Sequence, residues 1–283
     1  MRDLSRALAA WRRCLGDAHV TDDPAALDAW NRATHAGTAR AVAVLRTGDV
    51  AALRACLAIA AEEQVAVYPV SRGCNWGLGS RTPPCDGAVA LDLSRMNAIT
   101  GFDESMAWIE VEPGVTFRQV HAFLASQGSR LFVSVTGSSP DASVLANALD
   151  RGDGAGPLGD RWAHVCALEA VLTTGELLRT GFGRFEGVAA THLHRWGVGP
   201  ALDGLLSQSN LAVVTRMTLW LAPLPASIQA LRFSLRDVAR LPAAVDALRS
   251  LQLDGTLRAP VGLWNDLRVL SADGRAPTAA PLD

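Results

Sequence analysis

Residues 40–80 read RAVAVLRTGDVAALRACLAIAAEEQVAVYPVSRGCNWGLGS, and their pattern decides the fold. A short apolar run, an amphipathic stretch and a second apolar run follow one another, which is the signature of a βαβ unit. Val50, Leu53, Leu57 and Ala60 recur at helical spacing and mark a buried face, and Asp49 stands where it can cap the first turn. The β-branched, aromatic run VAVYPV then delivers the chain into a glycine-rich loop, VSRGCNWGLGS, at the C-terminal end of a strand. Ligands of open α/β sheets commonly lie at such an end. Glycines reach positive φ and let an anion approach main-chain N–H groups, so the loop is a candidate diphosphate cradle. On the glycines alone, a tight surface loop packed by Trp76 fits as well.

Upstream, MRDLSRALAAWRRCLGDA places Leu4, Leu8, Trp11 and Leu15 at helical spacing, but arginines interrupt it and no small-residue cleavage site follows. It reads as a surface helix, not a signal. Downstream, GAVALDLS and MAWIEVEPG have strand character, TFRQVHAFLASQG has helix character, and VTGSSP leads into a second helix, DASVLANALDRG. AHVCALEAVLTTGELLRTG reads as a hairpin turning near Thr174 and Gly175, and NLAVVTRMTLWLAP as a long strand that Pro223 and Pro225 end. That proline pair is the expected domain boundary. Beyond it SIQALRFS, DVARLPAAVDALRSLQ and APVGLWNDLRVLS read as strand, helix and strand, with a weak tail, GRAPTAAPLD.

With 283 residues and 49% hydrophobic content the chain can bury a substantial core. Its 26 cations mingle with 28 acidic residues for a net charge of -2, leaving no footprint for nucleic acid or an anionic membrane. A small-molecule ligand is expected instead. All the cations are arginine, which excludes Schiff-base and phosphate-loop lysine chemistry. Cys14, Cys56, Cys74, Cys85 and Cys166 are widely spaced without a CxxC pair, so they read as reduced thiols, not as a disulfide framework or zinc site. No window reaches the ~18 apolar residues of a membrane span. The expected location is the cytoplasm.

Gly154, Gly156 and Gly159 spell a GxGxxG, but a helix-like segment precedes them, Pro157 interrupts them and strand-like residues follow. A nicotinamide fingerprint needs the opposite order. His192 and His194 form an HxH pair with no third ligand at suitable spacing and read as solvated or structural; His121 and His164 stand alone. Asp141 and Asp160 are candidate bases, yet Asp141 equally suits a helix N-cap and Asp160 a pairing with Arg161. No catalytic residue is assigned.

The segments VSRGCNWGLGS, VEPGVTF, TGSSPDASVLANALDRG, GPLGDRWAHVCALEAVLTTGELLRTGFG and WGVGPALDGLLSQSNLAVVTRMTLWLAP follow one another in the order found in one group of flavoproteins. Over roughly Val42 to Pro223 the chain resembles the vanillyl-alcohol oxidase / p-cresol methylhydroxylase (PCMH-type) family of FAD oxidoreductases. The resemblance implies a two-subdomain α+β FAD-binding fold over residues 1–225 and the start of a substrate-binding cap over 226–283. It implies that Ser71, Arg72, Gly73, Cys74, Asn75, Trp76 and Gly77 wrap the FAD diphosphate, with Pro69 beside them. Ser138, Ser139, Ser143 and Asn147 would follow the diphosphate and ribityl chain, and Gly152, Gly156 and Gly159 the isoalloxazine; Gly114, Val115, Val213 and Val214 would border the adenosine.

Two departures limit what carries over. Asn75 stands where relatives that tether flavin through this loop have histidine, so the FAD is expected to be non-covalent. Leu78 and Ala155 stand where phenol-oxidising members have tyrosines, so a para-alkylphenol substrate is not supported. The resemblance implies hydride transfer from a small organic substrate to flavin N5, with the rest of the cap supplied elsewhere, by a missing C-terminal part, a homo-oligomer or a second subunit. The alternative is a non-catalytic flavin-binding partner in a flavoenzyme complex.

Overall fold

The computed structural model describes residues 4–33, 35–37, 39–75, 81–154, 159–227, 229, 231–257 and 261–272. The chain forms two compact units, Met1–Ile228 and Gln229–Asp283.

The first unit opens with α1 (Ser5–Leu15), β1 (Val20–Thr21) and α2 (Pro24–Trp30). The βαβ segment follows as β2 (Ala43–Arg46), α3 (Val50–Glu62) and β3 (Val67–Val70), and then β4 (Val89–Asp92). Asp49 caps α3, accepting the Ala52 N–H at 2.7 Å, and Leu53, Cys56, Leu57 and Ala60 are its buried face. The sheet order is β1-β2-β4-β3, with β2, β4 and β3 parallel and β1 antiparallel to β2. β4 therefore lies between the two strands that α3 connects, and every one of its residues is buried because apolar layers cover both sheet faces. β3 is left at the edge, where Pro69 removes no ladder bond. α1 lies at the surface, as expected, with Ala7 and Trp11 as its buried face. Trp11 is 0% exposed, donating its Nε1–H to the Cys56 carbonyl at 3.1 Å, because the arginines fall outside the stripe that meets α3.

The second layer comprises β5 (Ile99–Asp103), β6 (Trp108–Val111), α4 (Phe117–Ser126), β7 (Leu131–Phe132), α5 (Val144–Leu149), β8 (Val165–Leu172), β9 (Leu177–Arg179), α6 (Asp203–Leu206), β10 (Ala212–Trp220) and β11 (Ala222–Pro223). Five of these strands form an antiparallel sheet, β5-β6-β10-β8-β9, whose apolar face packs on α4 and α5. Thr116 and Gln119 make a capping box on α4, and Ser143 caps α5 by accepting the Ala146 N–H at 3.0 Å. Asp141 is not that cap; its carboxylate pairs with Arg118 at 2.8 Å.

Two features join the sheets. Val171 and Val213, on β8 and β10, are buried in the core of the small parallel sheet. Gly114 donates its N–H to the Met96 carbonyl at 2.7 Å, and a Cβ there would lie 2.4 Å from the Ser94 carbonyl oxygen. Glycine is needed at this position for backbone to meet backbone.

In the second unit α7 (Leu241–Leu253) is the expected helix, and α8 (Asp266–Ala272) replaces the expected final strand. Asn265 Oδ1 accepts the Arg268 N–H at 2.9 Å and so opens α8. The described residues of SIQALRFS form no strand either. A strand needs a neighbouring edge to pair with, whereas a helix closes its bonds locally. α7 buries none of its residues, and Phe233 and Leu253 are 82% and 76% exposed. Among the described residues no helix is long and apolar enough to cross a membrane.

Candidate FAD site

Gly73 has φ +67°, a left-handed conformation that side chains disfavour. A Cβ on it would lie 2.6 Å from Arg81 Cγ. The Arg81 guanidinium is stacked over Trp30, 4.9 Å from the ring centroid, and the Trp30 Nε1–H donates to the Arg81 carbonyl at 3.2 Å. Ser71, Arg72 and Cys74 face this pair across a depression of about 210 Å³ that Asp92 and Ser94 complete. Asp92 accepts the Ser94 N–H at 2.9 Å and lies 3.7 Å from Arg46, so its charge is countered.

The serine-rich segment closes on the same loop. Ser138 donates its hydroxyl to the Cys74 carbonyl at 2.8 Å across 64 residues of sequence. Ser139 accepts the Asp141 N–H at 3.1 Å, and Ser143, besides capping α5, donates to the Pro113 carbonyl at 2.6 Å. Asn147 Oδ1 is buried with no hydrogen-bond partner among the described residues. A Cβ on Gly152 would lie 2.5 Å from Asn147 Nδ2, and the Gly159 carbonyl accepts the Gly154 N–H at 2.9 Å. Pro69 and Asn75 are exposed at the two ends of the loop. Trp76, Gly77 and Gly156 lie outside the described residues, as do Leu78 and Ala155.

Val115, Val213 and Val214 are 0%, 7% and 4% exposed, so their side chains belong to the core and only main chain is left to meet a ligand. Even there, Val115 is engaged: its N–H donates to the Glu112 carbonyl and its own carbonyl accepts the Val144 N–H. The HxH pair has separate structural uses. His192 stacks on Trp108 at 3.9 Å and shares a 2.8 Å hydrogen bond with Thr218, while His194 meets the Phe182 ring edge-on. Among the described residues no three metal-ligating side chains gather.

Arg161 departs from the pairing expected with Asp160. Asp160 accepts the Ala163 N–H at 3.1 Å, and Arg161 turns inward, 4% exposed, over the Phe117 ring. Burial lowers its pKa to about 10 against the attraction of Asp153, so it stays charged at neutral pH. Nothing in the sequence singles out Trp30 or Arg81 as site residues, and Arg161 enters it only as a partner for Asp160. Arg81 directly follows the glycine loop and was within reach of it; Trp30 is brought there only by tertiary packing.

A family model described as an FAD binding domain matches residues 41–181. The chain is 33% identical over 259 residues to the 4-cresol dehydrogenase [hydroxylating] flavoprotein subunit of Pseudomonas putida, covering 90% of this chain and 50% of that protein. The crystal structure of p-cresol methylhydroxylase with substrate bound superposes with a TM-score of 0.85 at 31% identity, over 90% of this chain and 50% of the other. The chain belongs to the vanillyl-alcohol oxidase / p-cresol methylhydroxylase family.

The chain is also 53% identical over 274 residues to the 1'-carboxy-chondrochloren decarboxylase of Chondromyces crocatus, covering 97% of this chain and 51% of that protein. The chain spans about half the length of the curated relatives it matches. FAD is the cofactor of the family domain, and the residues present fit it. The positive φ of Gly73 and the depression beside two arginines suit an anionic diphosphate, and the orphaned Asn147 oxygen suits a hydroxyl or N–H donor such as the ribityl chain carries.

Proposed function

We propose that this chain is the FAD-binding part of an oxidoreductase that takes a hydride from a small organic substrate at flavin N5. The observation that carries the reading is the Ser138–Cys74 bond, which ties the glycine loop to the serine-rich segment at the mouth of the depression. Ser71 to Gly77 would hold the diphosphate through main-chain N–H groups, with Pro69 bounding the loop. Ser138, Ser139, Ser143 and Asn147 would guide the diphosphate and ribityl chain, Gly152, Gly156 and Gly159 would underlie the isoalloxazine, and main chain at Gly114, Val115, Val213 and Val214 would border the adenosine. Bound FAD supplies the electron sink, which dioxygen or another acceptor empties. The protein's part is to hold the ring in one orientation and keep water from it. Residues 226–283 are read as the start of the cap, and further polypeptide, from this protein's own continuation or a partner, would complete the enclosure.

A second reading concerns the substrate. The relative named a decarboxylase shares 53% identity, which favours a carboxylate-bearing substrate whose oxidation releases carbon dioxide. The non-catalytic alternative is kept because the cresol relative is named a subunit. One experiment separates these: record the visible spectrum of the purified chain, then add phenolic, 2-hydroxy-acid and carboxylated aromatic substrates under anaerobic conditions. Bleaching supports the oxidoreductase, and release of carbon dioxide with it supports the second reading. A flavin spectrum that no substrate bleaches, even with a cap polypeptide present, favours the non-catalytic subunit, and a colourless protein that FAD does not reconstitute removes the flavin reading.

A further inference from the structure

Two thiols that lie far apart in the sequence meet where α1 packs on α3. On α1, Ala7, Trp11 and Cys14 recur at the i, i+4, i+7 spacing of one helix face, and Ala7 and Trp11 are the residues it buries. That face meets α3. The Trp11 Nε1–H donates to the Cys56 carbonyl at 3.1 Å, and Cys56, 0% exposed, shares a core cluster with Ala7 and Trp11. Cys14 lies one turn beyond Trp11, and its thiol is within hydrogen-bonding reach of the Cys56 thiol.

The two thiols differ in access: Cys14 is exposed and Cys56 is buried. Burial above all, and then the adjacent Cys14 sulfur, push the Cys56 thiol well above its usual range, so it stays protonated. An oxidant arriving from solvent therefore meets Cys14 first, with Cys56 behind it as the resolving thiol. Cys14 belongs to the last turn of α1, where its thiol donates to the Trp11 carbonyl at 3.3 Å. The end of a helix can yield the small approach that an S–S bond needs. Among the described residues no three metal-ligating side chains gather, so the pair is not part of a zinc site there.

We propose that Cys14 and Cys56 form an oxidative modification site that reacts with hydrogen peroxide and closes into a disulfide stapling α1 to α3. The Cys14 sulfur attacks one peroxide oxygen and the O–O bond breaks, leaving Cys14 a sulfenic acid and releasing one water. The Cys56 sulfur then displaces the sulfenic hydroxyl, which leaves with the Cys56 proton as a second water. The two thiols lose two electrons and the peroxide gains them. Because the bond closes a long loop, it constrains the unfolded chain and stabilises the folded one.

The test treats the reduced, folded chain with hydrogen peroxide, blocks the remaining thiols with N-ethylmaleimide and maps the products by mass spectrometry. Since every cation is arginine, trypsin leaves Cys14 in peptide 14–32 and Cys56 in peptide 55–72, each with that one cysteine. The expected product is these two peptides joined and separable by dithiothreitol, in a chain that melts about 5 °C or more above its reduced form. Cys14→Ser, at an exposed position, should fold, leave Cys56 a thiol after peroxide and lose the rise in melting temperature. Cys14 recovered as a sulfinic or sulfonic acid, or bridged to another chain, with Cys56 still a thiol, overturns the proposal. A joined chain that melts no higher than the reduced one overturns the staple as well.

Discussion

The Ser138 hydroxyl donates to the Cys74 carbonyl at 2.8 Å, so the loop that leaves the small parallel sheet is held by a segment of the larger antiparallel layer. The bond crosses between the two subdomains where both meet the proposed diphosphate. Ser138→Ala should therefore lower stability by about 0.5–1.5 kcal/mol, and weaken FAD binding by roughly the tenfold that corresponds to about 1.4 kcal/mol. Flavin fluorescence titration beside urea unfolding measures both. Unchanged FAD affinity in the folded variant would show that the tie does not shape the cradle.

Gly73 and His192 should behave in opposite ways. Val at Gly73 meets Arg81 and disfavours positive φ, so FAD occupancy should fall by about tenfold or more. His192→Ala removes the stack on Trp108 and the bond to buried Thr218, and should cost about 1–3 kcal/mol of stability while leaving flavin content per folded protein unchanged. Equal flavin loss in both variants would mean that the cradle is misplaced.

The FAD should leave on denaturation. Asn75 is exposed at the end of the described part of the loop, and an amide forms no stable bond to the flavin ring. Acid precipitation should yield a colourless pellet and a yellow supernatant. Yellow protein in the pellet of this chain would refute non-covalent binding.

Asp203 should make folding sensitive to pH. Burial raises its pKa, with the Thr180 hydrogen bond and Arg195 opposing; it is 2% exposed, and Oδ2 has no hydrogen-bond partner among the described residues. In the unfolded chain this carboxyl ionises near pH ~4. Between that value and the higher folded one, unfolding releases a proton, so Asp203 erodes stability as pH rises. Asp203→Asn removes the titration, and its stability relative to wild type should grow from pH 4 upward and then level off. Urea unfolding at pH 4 to 7 tests this; a constant difference across the range would rule it out.

The 283-residue chain should bind flavin yet turn over substrate poorly. Its second unit leaves Leu231, Phe233, Val238 and Leu253 more than 70% exposed, so apolar surface there invites cover by a second copy or by further polypeptide. Flavin reduction and oligomeric state, measured alone and with a C-terminal cap polypeptide added, check it. Full turnover by a monodisperse monomer would sink the idea.

Local pattern and local chemistry made much of this protein legible in its sequence. The 3.6-residue spacing of Leu53, Leu57 and Ala60 named the buried face of α3, Asp49 named its cap, and the turn at Gly175 named the β8–β9 hairpin. Each rests on bonds closed within a few residues, and the order of long motifs identified the family. Tertiary structure alone decided that β4 slots between β2 and β3, that Trp11 is core, and that Ser143, not Asp141, caps α5. It also decided that the final segment, lacking a partner edge, coils into α8. Arg161 shows the limit most clearly. Arginine in a run of polar and glycine residues reads as surface, and only packing by Phe117, Ser134 and Gly154, from segments distant in sequence or turned back upon it, removes it from water. Strand order, burial of a charge and convergence of a site depend on contacts between remote residues, whose identity no local pattern records.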